Sequence, residues 1–269
     1  MPNILDCIPI YDSDALLYQR NEDLGNLIFI SKIHPEVKEI EINEIALFIL
    51  GMSNGENNLS DIVEEILEKY NAEKDKVLYD TTKILIELWR LGVVKWENAT
   101  PYDYLFKEKK ENITIKMLTE DEVIKSEERI GEYYCSPLEH KELLYSIVSI
   151  KQKVYALREM FFVMENDGEI ISRISFMLSN DVTIQIGSFY LVDELADYTL
   201  VIEFIHWCAS KLLELMNQKE IKRFRIFIDI QKNKKILSQI QKIGFKQVGV
   251  LKNELGYNCS NIYLFDFKL

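Results

Sequence analysis

The sequence predicts an α+β protein of two domains. Three observations carry that reading. The chain has 269 residues, enough for two domains of ordinary size. Its apolar pattern runs through short strands and then helices. Past a Pro-containing, charge-rich stretch it starts again with strands and helices in a different order. An apolar fraction of 48%, 28% charged residues and only 10 Gly and 5 Pro support packed cores and argue against disorder. The expected bounds are 1–98 for the first domain, 99–111 for a linker and 112–269 for the second.

In the first domain, Ile8 to Tyr18 and Asn26 to Ile33 read as strands, with an irregularity at Asp12 and Ser13 and a turn from Glu22 to Gly25. Val37 to Ile42 alternates apolar and charged residues, the pattern of a half-exposed third strand. Three helices follow. Asn43 stands as N-cap for Glu44 to Met52, and Ser60 as cap for a second helix. There Leu59, Ile62, Val63, Ile66, Leu67 and Tyr70 keep the helical spacing. The third helix, about Glu73 to Leu91, aligns Val77, Leu78, Thr81, Ile84, Leu85 and Leu88 in one stripe, and Gly92 stands where a left-handed residue ends a helix. Val93 to Trp96 closes a winged-helix-like module of three strands and three helices.

The run INEIALFILGMSNGENNLSDIVEEILEKYNAEKDKVLYDTTKILIELWRLGVV, Ile42 to Val94, resembles PqqD, the peptide chaperone of pyrroloquinoline quinone biosynthesis. It also resembles the related recognition elements of ribosomally made, post-translationally modified peptides (RiPPs). The resemblance implies that the leader of a precursor peptide adds as a strand to the third strand, in a groove walled by the third helix. An unpaired sheet edge offers main-chain hydrogen bonds, and apolar pockets select side chains. The implied peptide-binding residues are Val37, Lys38, Glu39, Ile40, Glu41 and Ile42 on the strand, with Asp75, Tyr79, Thr82, Lys83 and Ile86 on the wall. A module that only packs on the second domain is the alternative. A nucleic-acid role is disfavoured: the net charge is −12, and Asp61, Glu64, Glu65 and Glu68 load the second helix with acid.

The second domain opens with a strand at Ile113 to Leu118. Thr119 to Glu122 then has the capping-box pattern of a helix start. Helical stretches are expected at about Glu120 to Tyr133 and Pro137 to Glu159. Phe161 to Glu165 and Glu169 to Leu178, joined by Asn166-Asp167-Gly168, read as a hairpin. Val182 to Val192 is a strand, Leu200 to Met216 a long apolar helix, and Arg223 to Ile230 a strand. Lys234 to Lys242 is a helix ended by Gly244, and Val248 to Lys252 and Ile262 to Phe267 close the sheet.

This order, with the run NKKILSQIQKIGFKQVGVLKNELGYNCSNIYLFDF, resembles the GNAT superfamily of N-acetyltransferases. Asn233, Gly244, Phe245 and Gly249 stand at recurring family positions. The resemblance implies a GNAT-like mixed α/β sheet in which two neighbouring parallel strands splay apart. A pantetheine arm enters between them, and an amine attacks the thioester directly. On that basis Tyr190, Leu191, Val192, Tyr198, Thr199 and Asn233 would bind the acyl donor. Two departures stand out. The family's Gly-rich phosphate loop is replaced by Glu194 to Val201, which has no Gly or Arg and contains Asp197. The usual Tyr of the last helix is Ile240. The catalytic residues are therefore open, with Tyr190, Tyr198 and Glu165 as candidates and Tyr257 as a further tyrosine.

Three readings of the second domain stay open. The donor is an acyl-phosphopantetheine on an acyl carrier protein, docked on the basic cluster Lys219, Lys222, Arg223, Arg225, Lys232, Lys234 and Lys235. Or acyl-CoA binds by an unusual geometry. Or the domain is non-catalytic, and the protein is a peptide-binding adaptor. The leading expectation is a peptide-modifying N-acyltransferase of ribosomal peptide maturation.

The remaining residues point to ordinary roles. Cys7, Cys135, Cys208 and Cys259 lack metal or redox spacing, so no metal is expected. His206, Trp207 and Cys208 lie on the apolar helix as core residues, and His34 beside Pro35 reads as a turn. No secretory signal or membrane span is expected, and a cytoplasmic location follows from that reading.

Overall fold

The computed structural model describes residues 3–22, 25–37, 39–131, 146–178, 182–192, 197–216, 220–229, 233–252 and 261–269. The chain divides into two compact units, Met1–Phe106 and Lys107–Leu269.

In the first unit, β2 (Leu16–Asn21), β3 (Leu27–Ser31) and β4 (Ile40–Ile42) form an antiparallel sheet in that order. The centre strand β3 alternates buried and half-buried residues, so Leu27, Phe29 and Ser31 face the core. A second small sheet pairs β1 (Pro9–Tyr11) with β5 (Val94–Trp96). The helices are α1 (Glu44–Met52), α2 (Leu59–Lys69) and α3 (Lys74–Arg90). Asn43 caps α1 as expected, accepting from the Ala46 amide at 2.9 Å. The cap of α2 differs from expectation. It is Asn58, in a reciprocal box with Asp61, because Ser60 already lies inside the helix. Gly92 has φ +72, and a Cβ there would overlap the Ile33 side chain, so the exit from α3 needs glycine.

The stretch 99–111, expected as a linker, is structured. It holds α4 (Pro101–Phe106) and β6 (Lys107–Lys110). Tyr102 stacks on Trp89 and Phe106, which ties α4 to the first unit, while β6 pairs with the second unit's first long strand. Its charged pattern is that of a solvent-facing edge strand, since all four residues of β6 are exposed.

In the second unit, β7 (Ile113–Met117), β8 (Glu159–Asn166), β9 (Glu169–Leu178), β10 (Thr183–Leu191), β11 (Arg223–Asp229), β12 (Lys246–Leu251) and β13 (Ile262–Lys268) join β6 in one sheet. Its order is β12-β13-β11-β10-β9-β8-β7-β6. The β10–β11 pair is parallel and every other pair is antiparallel. The helices are α5 (Glu120–Ile130), α6 (Ile147–Tyr155), α7 (Tyr198–Met216) and α8 (Lys234–Ile243). The mixed sheet, with β10 and β11 as parallel neighbours, is as expected. Asp167 and Gly168 both have positive φ, so the β8–β9 hairpin closes through a two-residue turn.

The two faces of the sheet have different cores. On one, Phe161, Val163 and Ile170 pack with Val123 of α5 and Ile150 and Val154 of α6. On the other, Phe162 meets Phe176 and Trp207 of α7, and Phe176 meets Phe224. Glu159 was expected at the end of a helix but opens β8, because Leu157 takes φ 53 and ends the helical path first. Because β8 is buried on both faces, its apolar run has no alternation to mark it as a strand. The helix expected from Pro137 falls outside the described residues as far as Tyr145.

Candidate functional site

The strands β10 and β11 pair only at Thr183↔Arg223, Ile184↔Phe224, Gln185↔Arg225 and Ile186↔Ile226. Both run on without pairing to each other, β10 to Leu191 and β11 to Asp229. A slot therefore opens beyond Ile186. Its first open residue, Gly187, sits at a bulge against β9, where the register shifts between Ile186 and Ser188.

A buried carboxyl lies against the bulge. A Cβ on Gly187 would overlap Oε1 of Glu159 and lie 2.9 Å from Oγ of Ser175. Glu159 is 1% exposed; Ser175 donates to its Oε1 at 2.6 Å, and Lys153 Nζ lies 3.5 Å from Oε2. Burial pushes the Glu159 carboxyl above its ordinary range, and the Ser175 hydrogen bond and Lys153 only partly offset this. Beside it, the buried Ser188 hydroxyl has no hydrogen-bond partner among the described residues. Sequence reasoning missed Glu159, Ser175 and Ser188. The available signal was a lone Glu at the head of the apolar run Met160 to Met164, which has no solvated face to explain it.

The donor-binding expectations divide. The Val192 amide donates to the Ile171 carbonyl at 3.0 Å, and the Tyr190 carbonyl accepts from Ser172 Oγ at 3.1 Å. Both therefore turn towards β9. Strand alternation then turns the main-chain groups of Phe189 and Leu191 towards the slot. Gln239 of α8, itself buried, confirms this for Leu191 by donating to its carbonyl at 3.0 Å. The Tyr190 ring packs on the α5–α6 core, next to the cross-strand partner Arg173. Arg173 is fully buried, and Ser126 of α5 accepts from it at 2.9 Å.

Tyr198 opens α7 and meets Lys242, whose Nζ lies 3.3 Å from its hydroxyl. Thr199 is exposed, and its amide donates to Asp197 at 2.9 Å. Asn233 precedes α8 and donates through its side chain to the Asp229 carbonyl at 3.3 Å. Ile240 is wholly buried. Glu165 follows Met164 on β8, whose β9 partner Ser172 lies opposite Leu191, and is paired with Lys116 and Arg129.

The basic cluster is partly neutralised. Arg225 holds Asp266 through two bonds of 2.7 and 2.8 Å, and Arg223 adds a contact at 3.4 Å. Burial raises the Asp266 carboxyl, but its bonds to Arg225 and Arg223 outweigh this and hold it below the ordinary range. Lys234 and Lys235 are exposed on the first turn of α8. Lys219, Lys232, Tyr257, Cys135, Cys259 and Glu194 to Ala196 lie outside the described residues. Cys208 is a core residue as expected, buried with its thiol pushed well up, whereas His206, also expected in the core, is exposed and packs edge-on to Phe267. Among the described residues no group of three or more His, Cys, Asp or Glu is placed to hold a metal ion. No described helix is long and apolar enough to cross a membrane.

In the first unit, β4 is the last strand of its sheet and one side of it is unpaired among the described residues. This free edge is shorter than expected. Val37 is buried in a turn, its amide donating to the His34 carbonyl, so the strand is Ile40–Ile42. Lys38 lies outside the described residues. Glu39 and Glu41 are exposed. On α3, Tyr79 and Lys83 are exposed, while Thr82 and Ile86 are buried. The Thr82 hydroxyl has no hydrogen-bond partner among the described residues.

Residues 32–94 match the family model of coenzyme PQQ synthesis protein D (PqqD). A search of curated proteins finds no match. Among solved structures, the chain is similar to a ribosomal-protein-S5-alanine acetyltransferase from Vibrio fischeri, at 13% identity and TM-score 0.41, over 60% of this chain and 96% of that one. It is similar to a GNAT family acetyltransferase from Elizabethkingia anophelis with acetyl-CoA bound, at 18% identity and TM-score 0.37, over 60% of this chain and all of that one. A spermidine N-acetyltransferase from Vibrio cholerae is similar at 14% identity and TM-score 0.40, over 59% of this chain and 95% of that one.

Proposed function

With a PqqD-type module at 32–94 followed in the chain by a GNAT-like sheet, we propose that the protein is a peptide-modifying N-acyltransferase of ribosomal peptide maturation. The observation that carries the activity is the opening of β10 from β11 beyond Ile186 and Ile226. A parallel pair that stops pairing leaves main-chain donors and acceptors on its inner sides. A pantetheine arm has amide groups suited to them. The donor is an acyl-CoA or an acyl-phosphopantetheine.

The chemistry needs little more than orientation. The amine nitrogen attacks the thioester carbonyl carbon, the C–N bond forms, and the C–S bond breaks. The ammonium gives up its proton to a base, and the thiolate leaves and takes a proton. Glu159, buried against Gly187, is the proton acceptor in this reading. A carboxyl raised by burial takes a proton more readily than an exposed one. Main-chain amides at the bulge polarise the carbonyl. The first unit captures the precursor's leader along β4, which raises the effective concentration of the core to about millimolar.

Titration calorimetry with acetyl-CoA, a longer acyl-CoA and an acylated carrier protein tests the transferase. Binding of at least one is expected; binding of none removes the enzyme reading. One observation favours a second reading, a non-catalytic adaptor: Gln239 already occupies the slot-facing carbonyl of Leu191. Under that reading all three titrations are silent while peptide still binds.

A further inference from the structure

We propose that the first unit selects a basic, extended peptide. Its Lys or Arg side chains lie beside Glu39 and Glu41 on the free edge of β4, and its apolar ones beside Ile40 and Ile42. The proposal rests on the docking reading above and adds the chemistry of the ligand.

The acidity of this chain belongs almost wholly to one unit. Residues 1–106 hold 20 Asp and Glu against 9 Lys and Arg, a net −11; residues 107–269 hold 24 against 23, a net −1. These account for the chain's −12. General acidity would spread over both units. A charge confined to the unit with the open strand edge marks that unit's partner.

The edge itself carries the same sign. Along it, exposed Glu39 and Glu41 alternate with half-buried Ile40 and buried Ile42. Among the described residues neither carboxylate has a cationic partner; Glu41 accepts only from the Asn26 side-chain amide, at 2.8 Å. A strand added at the edge lies about 4.8 Å away, and its directly opposed side chains come within about 5 Å of those of β4. Opposite charges at that spacing stabilise the pair and like charges destabilise it. The period of two then sets a pattern for the ligand, cationic and apolar residues in alternation, cationic opposite Glu39 and Glu41. Exposed Glu64, Glu65 and Glu68 on α2 extend the negative field and speed the encounter.

The test selects a displayed library of random peptides on the full-length protein and on the E39K/E41K variant, and maps the best binder by hydrogen exchange. The expected pool is net positive, with Lys or Arg alternating with aliphatic residues, and the binder protects the amides of Ile40–Ile42. Its affinity falls about tenfold between low salt and about 0.5 M salt, and the variant's pool loses the positive bias. A neutral or acidic pool that still protects Ile40–Ile42 overturns the charge selection and leaves the docking reading standing. No enrichment, or protection confined to other segments, overturns the docking reading as well.

Discussion

Replacing Gly187 by Ala places a methyl group where the Glu159 carboxyl lies. The new Cβ overlaps Oε1 and stands 2.9 Å from Ser175 Oγ, and both partners are fully or almost fully buried. Overpacking of this kind costs about 1–3 kcal/mol. Moving the carboxyl aside also breaks its 2.6 Å bond from Ser175, and a hydrogen bond to a charged group is worth about 1.5–3 kcal/mol. The expected loss is therefore about 2.5–6 kcal/mol. Truncating Glu159 to Ala removes the obstacle, so in the G187A/E159A double variant the overlap is gone. The two substitutions should couple by about 2 kcal/mol, the sign being that the double variant is more stable than the sum of the singles allows. The assay is urea unfolding read by pulsed hydrogen exchange on peptides of β8, β9 and β10, which separates this unit from the first. Additive effects within about 0.5 kcal/mol would refute the argument that the carboxyl is what requires glycine at the head of the slot.

Glu159→Gln should stabilise the protein at pH 7 to 8 and not near pH 4. The folded-state value is raised, so the stability this carboxyl contributes is fully present below its ordinary 4.5 and lost as pH rises through the folded value; thermal unfolding against pH reads the difference. In a transferase assay the same variant should lose about 10²-fold or more in kcat, and unchanged kcat would remove Glu159 as proton acceptor. Arg225→Ala should cost about 3 kcal/mol, the low end for breaking a buried pair, because Arg223 still reaches Asp266. Asp266 is held below its ordinary 3.8, so its stabilisation is present above that value and is lost as pH falls through the lower folded one. The gap between wild type and R225A in urea unfolding should therefore narrow in acid. Asp197→Asn should tighten acetyl-CoA about two- to fivefold by removing one exposed negative charge near the start of α7. Calorimetry checks this, and an unchanged affinity would show that the phosphates lie elsewhere.

Much of the site's scaffold was legible before any coordinates. Asn43 capping α1, the Asn166 to Gly168 turn and Gly244 ending α8 are local events, each governed by a few adjacent residues. The chemistry at the slot was not legible. Glu159 and Gly187 are far apart in sequence, and only the pairing of β8 with β9 and β9 with β10 brings them together. Tyr190 and Val192 were expected at the slot. Which amide faces which neighbour depends on register, and a bulge at Gly187 changes the register.

The linear chain determined the order of elements, the two-part organisation and the acidity of the first unit, because spacing, caps, turn residues and composition are written along it. Tertiary structure alone decided where β10 parts from β11, that Gln239 reaches the Leu191 carbonyl, and that the edge strand left free among the described residues is only Ile40–Ile42. Each of these is a question of which main-chain groups find partners. The partners come from distant parts of the chain, and local pattern carries no information about them.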